Sequence, residues 1–195
     1  MKKQTENTSA KSANVASVIN WEIESKKIVA FAKANGGSRG DAVARVGAML
    51  TGESKASELL RKACGEAGAQ AIISQPRNVL HKLPKLAQCI VSGTSWCSLD
   101  GLKPESKRKE DASVAVTLAP YLRDGAEASS RQKAVIAECL NRYTQGGAGA
   151  QMPASLEALA FFGIMVREQS ADGAKRNAEY KLKNRKLALA LMPVA

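Results

Sequence analysis

Apolar positions along this chain recur at intervals of three and four far more than at intervals of two, a spacing that predicts helices almost throughout. Val18, Trp21, Ile28, Val29 and Ala32 form the first such stripe and predict a helix over residues 12–34. Asn35, Gly36 and Gly37 end it, since glycine and asparagine accept the left-handed conformation that closes helices. Val43, Val46 and Leu50, then Ala56, Leu59, Leu60, Ala63 and Cys64, predict a pair over 41–50 and 54–67 around the turn Thr51-Gly52-Glu53. One further turn is expected at 69–74. Residues 77–91 read as helix with an interruption at Pro84, whose missing N–H and ring demand a kink or a fresh start near Leu83.

Residues 92–103 break the periodicity. Asp100-Gly101 is a turn signal that leaves room for a minor hairpin near residues 96–102. The same stretch is the natural boundary if the chain forms two lobes, 12–95 and 104–195. Pro104 then opens a helix carrying Val114, Val116, Leu118 and Leu122. Ser129 with Gln132 resembles a capping box for a helix reaching Tyr143. The glycine-rich residues 145–151 read as a flexible connector, and Pro153 as the first turn of the next helix. From Leu156 to Val166 that helix has one charged residue, Glu157, and a helix apolar on nearly all sides is a central one covered by neighbours. Gly163 would let another helix come close. After a break at 170–173, residues 175–192 read as a basic helix. On a wheel, Lys175, Arg176, Lys183 and Lys186 share an arc of about 100°, weakened by Glu179 inside it and flanked by Leu182, Leu189, Tyr180 and Leu187.

The expected fold class is therefore all-α, a compact multi-helix bundle of about seven to eight helices. Residues 1–11 are polar and read as a disordered N-terminal tail, with a helical domain over 12–195. Composition agrees: aromatics are 4% of the chain, and the abundant alanine carries the strongest helix propensity.

Charge changes the picture from fold to partners. Lys and Arg number 29 against 18 Asp and Glu, for a net +11, and the excess is spread along the chain. Such an excess attracts polyanions by long-range steering and counterion release. Between Glu66 and Asp100 there is no carboxylate, yet Arg77, His81, Lys82 and Lys85 lie there. Lys107, Arg108 and Lys109 follow near a helix N-terminus, where positive charge opposes the helix dipole and so is not there for stability. With Lys175, Arg176, Lys183 and Lys186, these residues are the candidate nucleic-acid contacts; Trp96 and Tyr180 are candidate anchors for a protein partner. The pair at 41–67 also invites a helix-turn-helix reading with Lys55, Arg61 and Lys62 toward DNA, although Glu58 and Glu66 work against it.

Other chemistry is poorly supported. The four cysteines, Cys64, Cys89, Cys97 and Cys139, have no close pairing, and His81 is the single histidine, so no zinc spacing is encoded and no metal or cofactor is expected. The glycines at 146–149 lack the G-K-[ST] ending of a phosphate loop. No nucleophile lies beside a base, and a catalytic role is not expected. The apolar run at 156–166 is far short of the about 20 residues that cross a bilayer. A polar N-terminus and unpaired thiols suggest a cytoplasmic setting, without membrane contact. Scarce aromatics disfavour base stacking on single strands. The expectation is a small regulatory protein that binds duplex DNA or structured RNA through basic helices. The alternative is a helical adaptor or inhibitor that binds an acidic surface of a protein or multi-subunit complex.

Overall fold

The computed structural model describes residues 19–96, 113–124, 128–129, 141, 144–168 and 179–192. It is an all-α bundle with one small antiparallel sheet. Helix α1 (Trp21–Asn35) starts where the Asn20 side chain accepts from the N–H groups of Glu22 and Ile23, later than the pattern suggested. Residues 12–18 of that expected helix, and the polar tail before it, lie outside the described residues. Gly36 takes a positive φ of 48° and turns the chain directly into α2 (Gly37–Leu50). The two helices pack unusually close because α2 presents Gly40 and Gly47 to α1. A β-carbon at either site would lie 2.7 Å from the Ala32 carbonyl oxygen or the Ile28 Cγ2, respectively.

Helix α3 (Lys55–Cys64) is capped by Ser54, which accepts from the Ser57 N–H at 3.1 Å. Arg61 reaches back and donates to the carbonyls of Leu50 (2.7 Å) and Gly52 (2.8 Å). It therefore staples the turn between α2 and α3 and is not a free DNA contact. A 3-10 turn (Gly65–Ala67) and the short α4 (Ala69–Ile73) follow. Glu24 of α1 accepts the Ala69 N–H at 2.6 Å while pairing with Lys27 at 2.5 Å, tying the two elements. The helix expected over 77–91 is two: α5 (Arg77–Leu80) and α6 (Leu83–Ser92), the second opening with Pro84 in its first turn. That is the fresh start a proline imposes.

Helix α7 (Ser113–Asp124) precedes a two-residue strand, β1 (Ala128–Ser129). The largest departures come next. Residues 145–151, expected as connector, are the first turns of α8 (Gln145–Phe161), and Pro153 sits inside that helix. Packing of α8 against α5 and α7, with Met152, Ala154, Leu156 and Leu159 buried, overrides the low helix propensity of the glycines. The helix also stops five residues short of Val166. Gly163 adopts φ +67°; its N–H bonds the Ala160 carbonyl, and the Ile164 N–H bonds that of Leu159. This paired closure is a helix C-cap, so Gly163 ends the helix and does not serve close helix packing.

Beyond it lie β2 (Met165–Glu168), β3 (Glu179–Leu182) and a short α9 (Arg185–Ala190). The sheet order is β1-β3-β2, all antiparallel, with Met165 opposite Leu182 and Arg167 opposite Tyr180. Of the basic segment expected as helix from 175 on, the described residues 179–192 hold a strand and a six-residue helix, and residues 175–178 lie outside the described residues. The hairpin expected near 96–102 falls almost wholly outside the described residues. One cluster of buried side chains runs through the molecule, from Ile28 and Val43 through Leu60, Leu86, Trp96 and Leu118 to Leu156 and Leu191.

Candidate functional site

The break between α5 and α6 determines which basic groups reach solvent. Arg77, His81 and Lys85 follow one another at intervals of four and all are exposed. Lys82, next to His81, turns the other way: it is 5% exposed, and its ammonium lies 5.9 Å from the centre of the Trp96 ring. Arg77 is steadied by a bond from Nη1 to the Ser38 hydroxyl at 3.0 Å. Across from these residues, α2 presents Arg45 on the same face as Ala42 and Met49.

Two adjoining clefts result. The larger, about 400 Å³, is lined by Arg45, Arg77, Asn78, His81, Lys82, Trp96 and Gln151. The smaller, about 370 Å³, lies between α2 and α6 and is lined by Ala42, Arg45, Met49, Leu80, His81, Pro84, Lys85 and Gln88. Arg45 and His81 belong to both. Among the described residues no carboxylate lines either cleft. Opposing positive groups with low-dielectric walls focus a positive potential, which suits an anion.

The candidate residues divide clearly. Arg77, Lys82 and Lys85 meet at this place, joined by Arg45 and Gln151, which the sequence did not single out. The i, i+3, i+7 spacing of Ala42, Arg45 and Met49 was the available signal, since it puts Arg45 at the edge of α2's buried face. Lys183 and Lys186 are exposed, but neither lines either cleft among the described residues. Lys107, Arg108, Lys109, Lys175 and Arg176 lie outside the described residues.

Both aromatic anchors need correcting. Trp96 and Tyr180 are each 2% exposed, so neither offers a surface to a partner. Trp96 is core beneath the larger cleft, and its backbone N–H donates to the Leu191 carbonyl at 3.1 Å. The Tyr180 hydroxyl donates to Glu157 Oε1, which also pairs with Arg167 at 3.2 Å. Burial first, and then the Glu157 carboxylate, hold that phenol well above its ordinary value. Glu157, the one charge in the apolar run, therefore serves to fasten α8 to the sheet.

Reactive groups are scarce. Burial pushes the Cys64 thiol up to about 12, which suppresses the thiolate, and Cys89 is also buried, its thiol donating to the Ser95 carbonyl at 3.6 Å. Among the described residues no three His, Cys, Asp or Glu side chains converge to hold a metal, and no helix is long and apolar enough to cross a membrane. Compared with protein-family models, curated proteins and solved structures, the chain matches none of them.

Proposed function

We propose that this protein binds nucleic acid through its phosphates, acting by occupancy, and that the contact face is the one formed by α2 with α5 and α6. One observation carries the reading. In a chain with 18 carboxylates, Arg45, Arg77, His81 and Lys85 surround two joined clefts that no carboxylate lines among the described residues. Ordinary solvated helix faces mix the two signs, as α1 does with its Lys26–Glu22 and Lys27–Glu24 pairs. Segregation of one sign around a concavity favours a polyanion.

Duplex is favoured over single strands. The chain is poor in the aromatic platforms on which unpaired bases stack, and Trp96 is buried.

Fluorescence anisotropy with a labelled 20-bp duplex of arbitrary sequence tests this. With three phosphates neutralised by Arg45, Arg77 and Lys85, the log–log salt slope should be about −2.7, a loss of about 40-fold in affinity between 50 and 200 mM salt. The same length of single strand should bind more weakly. Absence of duplex binding at 50 mM salt ends the proposal and leaves an acidic protein surface as the partner.

A further inference from the structure

Phosphates alone do not account for the smaller cleft, because its floor is apolar. Ala42 of α2 and Leu80 of α5, each 1% exposed, are its most buried lining residues. Met49 of α2 and Pro84 of α6 stand half-buried beside them, and Arg45, Lys85 and Gln88 are exposed at the rim. The spacing of Ala42, Arg45 and Met49 puts them on one face of α2, as that of Lys85 and Gln88 does on α6. The cleft is therefore a groove between two helices, apolar below and cationic above.

The two rim cations are also uncommitted. Arg77 holds the Ser38 hydroxyl and Arg61 holds two carbonyls. Arg45 and Lys85, in contrast, meet no hydrogen-bond or ion-pair partner among the described residues. A sugar–phosphate backbone has oxygens for those cations and little to bury on Met49 and Pro84. The complement of such a groove is an apolar side chain standing between carboxylates. Methionine suits that role, because its flexible thioether moulds to an incoming apolar group. At about 370 Å³ the cleft lies within the range of about 300–1,000 Å³ usual for ligand sites. It continues past Arg45 into the larger cleft, which gives room for a chain and not only for a small molecule.

We infer that the groove between α2 and α6 receives an acidic segment of a protein partner, with an apolar side chain lowered onto Met49 and Pro84 and flanking carboxylates on Arg45 and Lys85. The site stands without the nucleic-acid reading. Only its consequence rests on that reading: because Arg45 and Lys85 serve both ligands, the segment and a duplex exclude each other.

The probe is a fluorescein-labelled synthetic peptide whose leucines recur every three and four residues among glutamates. One control replaces its leucines by serine, the other its glutamates by glutamine. In fluorescence anisotropy each control should bind about tenfold more weakly, the loss expected for an apolar side chain left unburied or for charge-assisted contacts left unmade. Met49→Ser should weaken the parent peptide about fivefold. Gln88→Glu, an exposed change that brings a carboxylate to the rim, should weaken it about threefold. Lys183→Gln, outside both clefts, should change nothing. Circular dichroism checks folding, and Gln88→Glu carries the test if Met49→Ser does not fold. If the serine peptide binds as tightly as the parent, the attraction is electrostatic only and the groove proposal is overturned. Failure of the parent peptide to bind overturns it too, whatever the duplex does, as does binding that neither groove variant weakens. If the peptide binds as expected and the duplex does not, the groove is confirmed and the nucleic-acid reading falls. If both bind, the peptide should displace the duplex; binding side by side overturns the shared placement on Arg45 and Lys85.

Discussion

Two stretches of this chain look alike as sequence and differ completely as structure. Residues 77–85 and 175–186 each concentrate basic side chains between apolar ones. In the first, the proline-forced break between α5 and α6 leaves Arg77, His81 and Lys85 exposed around clefts that Arg45 completes. In the second, the described part is a strand and a short helix in which some basic side chains are engaged while Lys183 and Lys186 stay exposed. Lys181 pairs with Glu168 at 2.9 Å, Arg185 donates to the Leu122 carbonyl at 3.1 Å, and Tyr180 is buried on Glu157. Local density of positive charge is thus a poor guide by itself. What sets the first region apart is that its exposed basic groups line clefts into which, among the described residues, no carboxylate reaches.

The sharpest way to break this contrast is at Trp96, beneath the first region. If it is core, Trp96→Ala should cost about 3–5 kcal/mol of stability by urea unfolding. A variant that folds as well as the parent but loses its ligand would instead make Trp96 a contact. Next in size is a matched pair of charge variants. Arg45→Gln/Arg77→Gln/Lys85→Gln should flatten the duplex salt slope by about 2.7, whereas Lys183→Gln/Lys186→Gln should change it by less than about 1. Equal effects would erase the distinction between the two regions.

Within the second region, Tyr180→Phe removes a buried hydrogen bond to Glu157 and should cost about 1–2 kcal/mol, with duplex affinity unchanged within about twofold. A loss of affinity without a loss of stability would return the strand to the binding face. The smallest effect is a control far from both. Lys27 first, and then the Ala69 N–H, hold the Glu24 carboxyl below its ordinary value. Its contribution to stability is therefore present above the ordinary glutamate range and lost as pH falls through the lowered folded value. Glu24→Gln should lower the melting temperature by about 1–3 °C at pH 7, and the gap should close below about pH 4. A gap that stays constant with pH would show that the carboxylate is not engaged.

Much of the helical half was legible from residues alone. The apolar stripes of α2 and α3 bury Val43, Val46 and Leu60 as their spacing implies, and Pro84 marks a helix start. The C-terminal part was not legible, for a specific reason. Glu179 to Leu182 fits a helical wheel as well as a strand, because four residues are too few for the periods of 3.6 and 2 to separate. Only pairing with Met165–Glu168 decides between them. Gly146, Gly147 and Gly149 argue against helix locally, and long-range packing of α8 on α5 and α7 outweighs them.

The sequence by itself determined the helical class, the positive balance and the carboxylate-free run between Glu66 and Asp100, because propensity, charge and period are local properties. Tertiary structure alone decided that Arg45 and Gln151 join that run, that Lys82 turns inward over Trp96, and that Tyr180 is spent on Glu157. Those outcomes depend on which elements meet, and contacts between residues far apart in the chain leave no period to read.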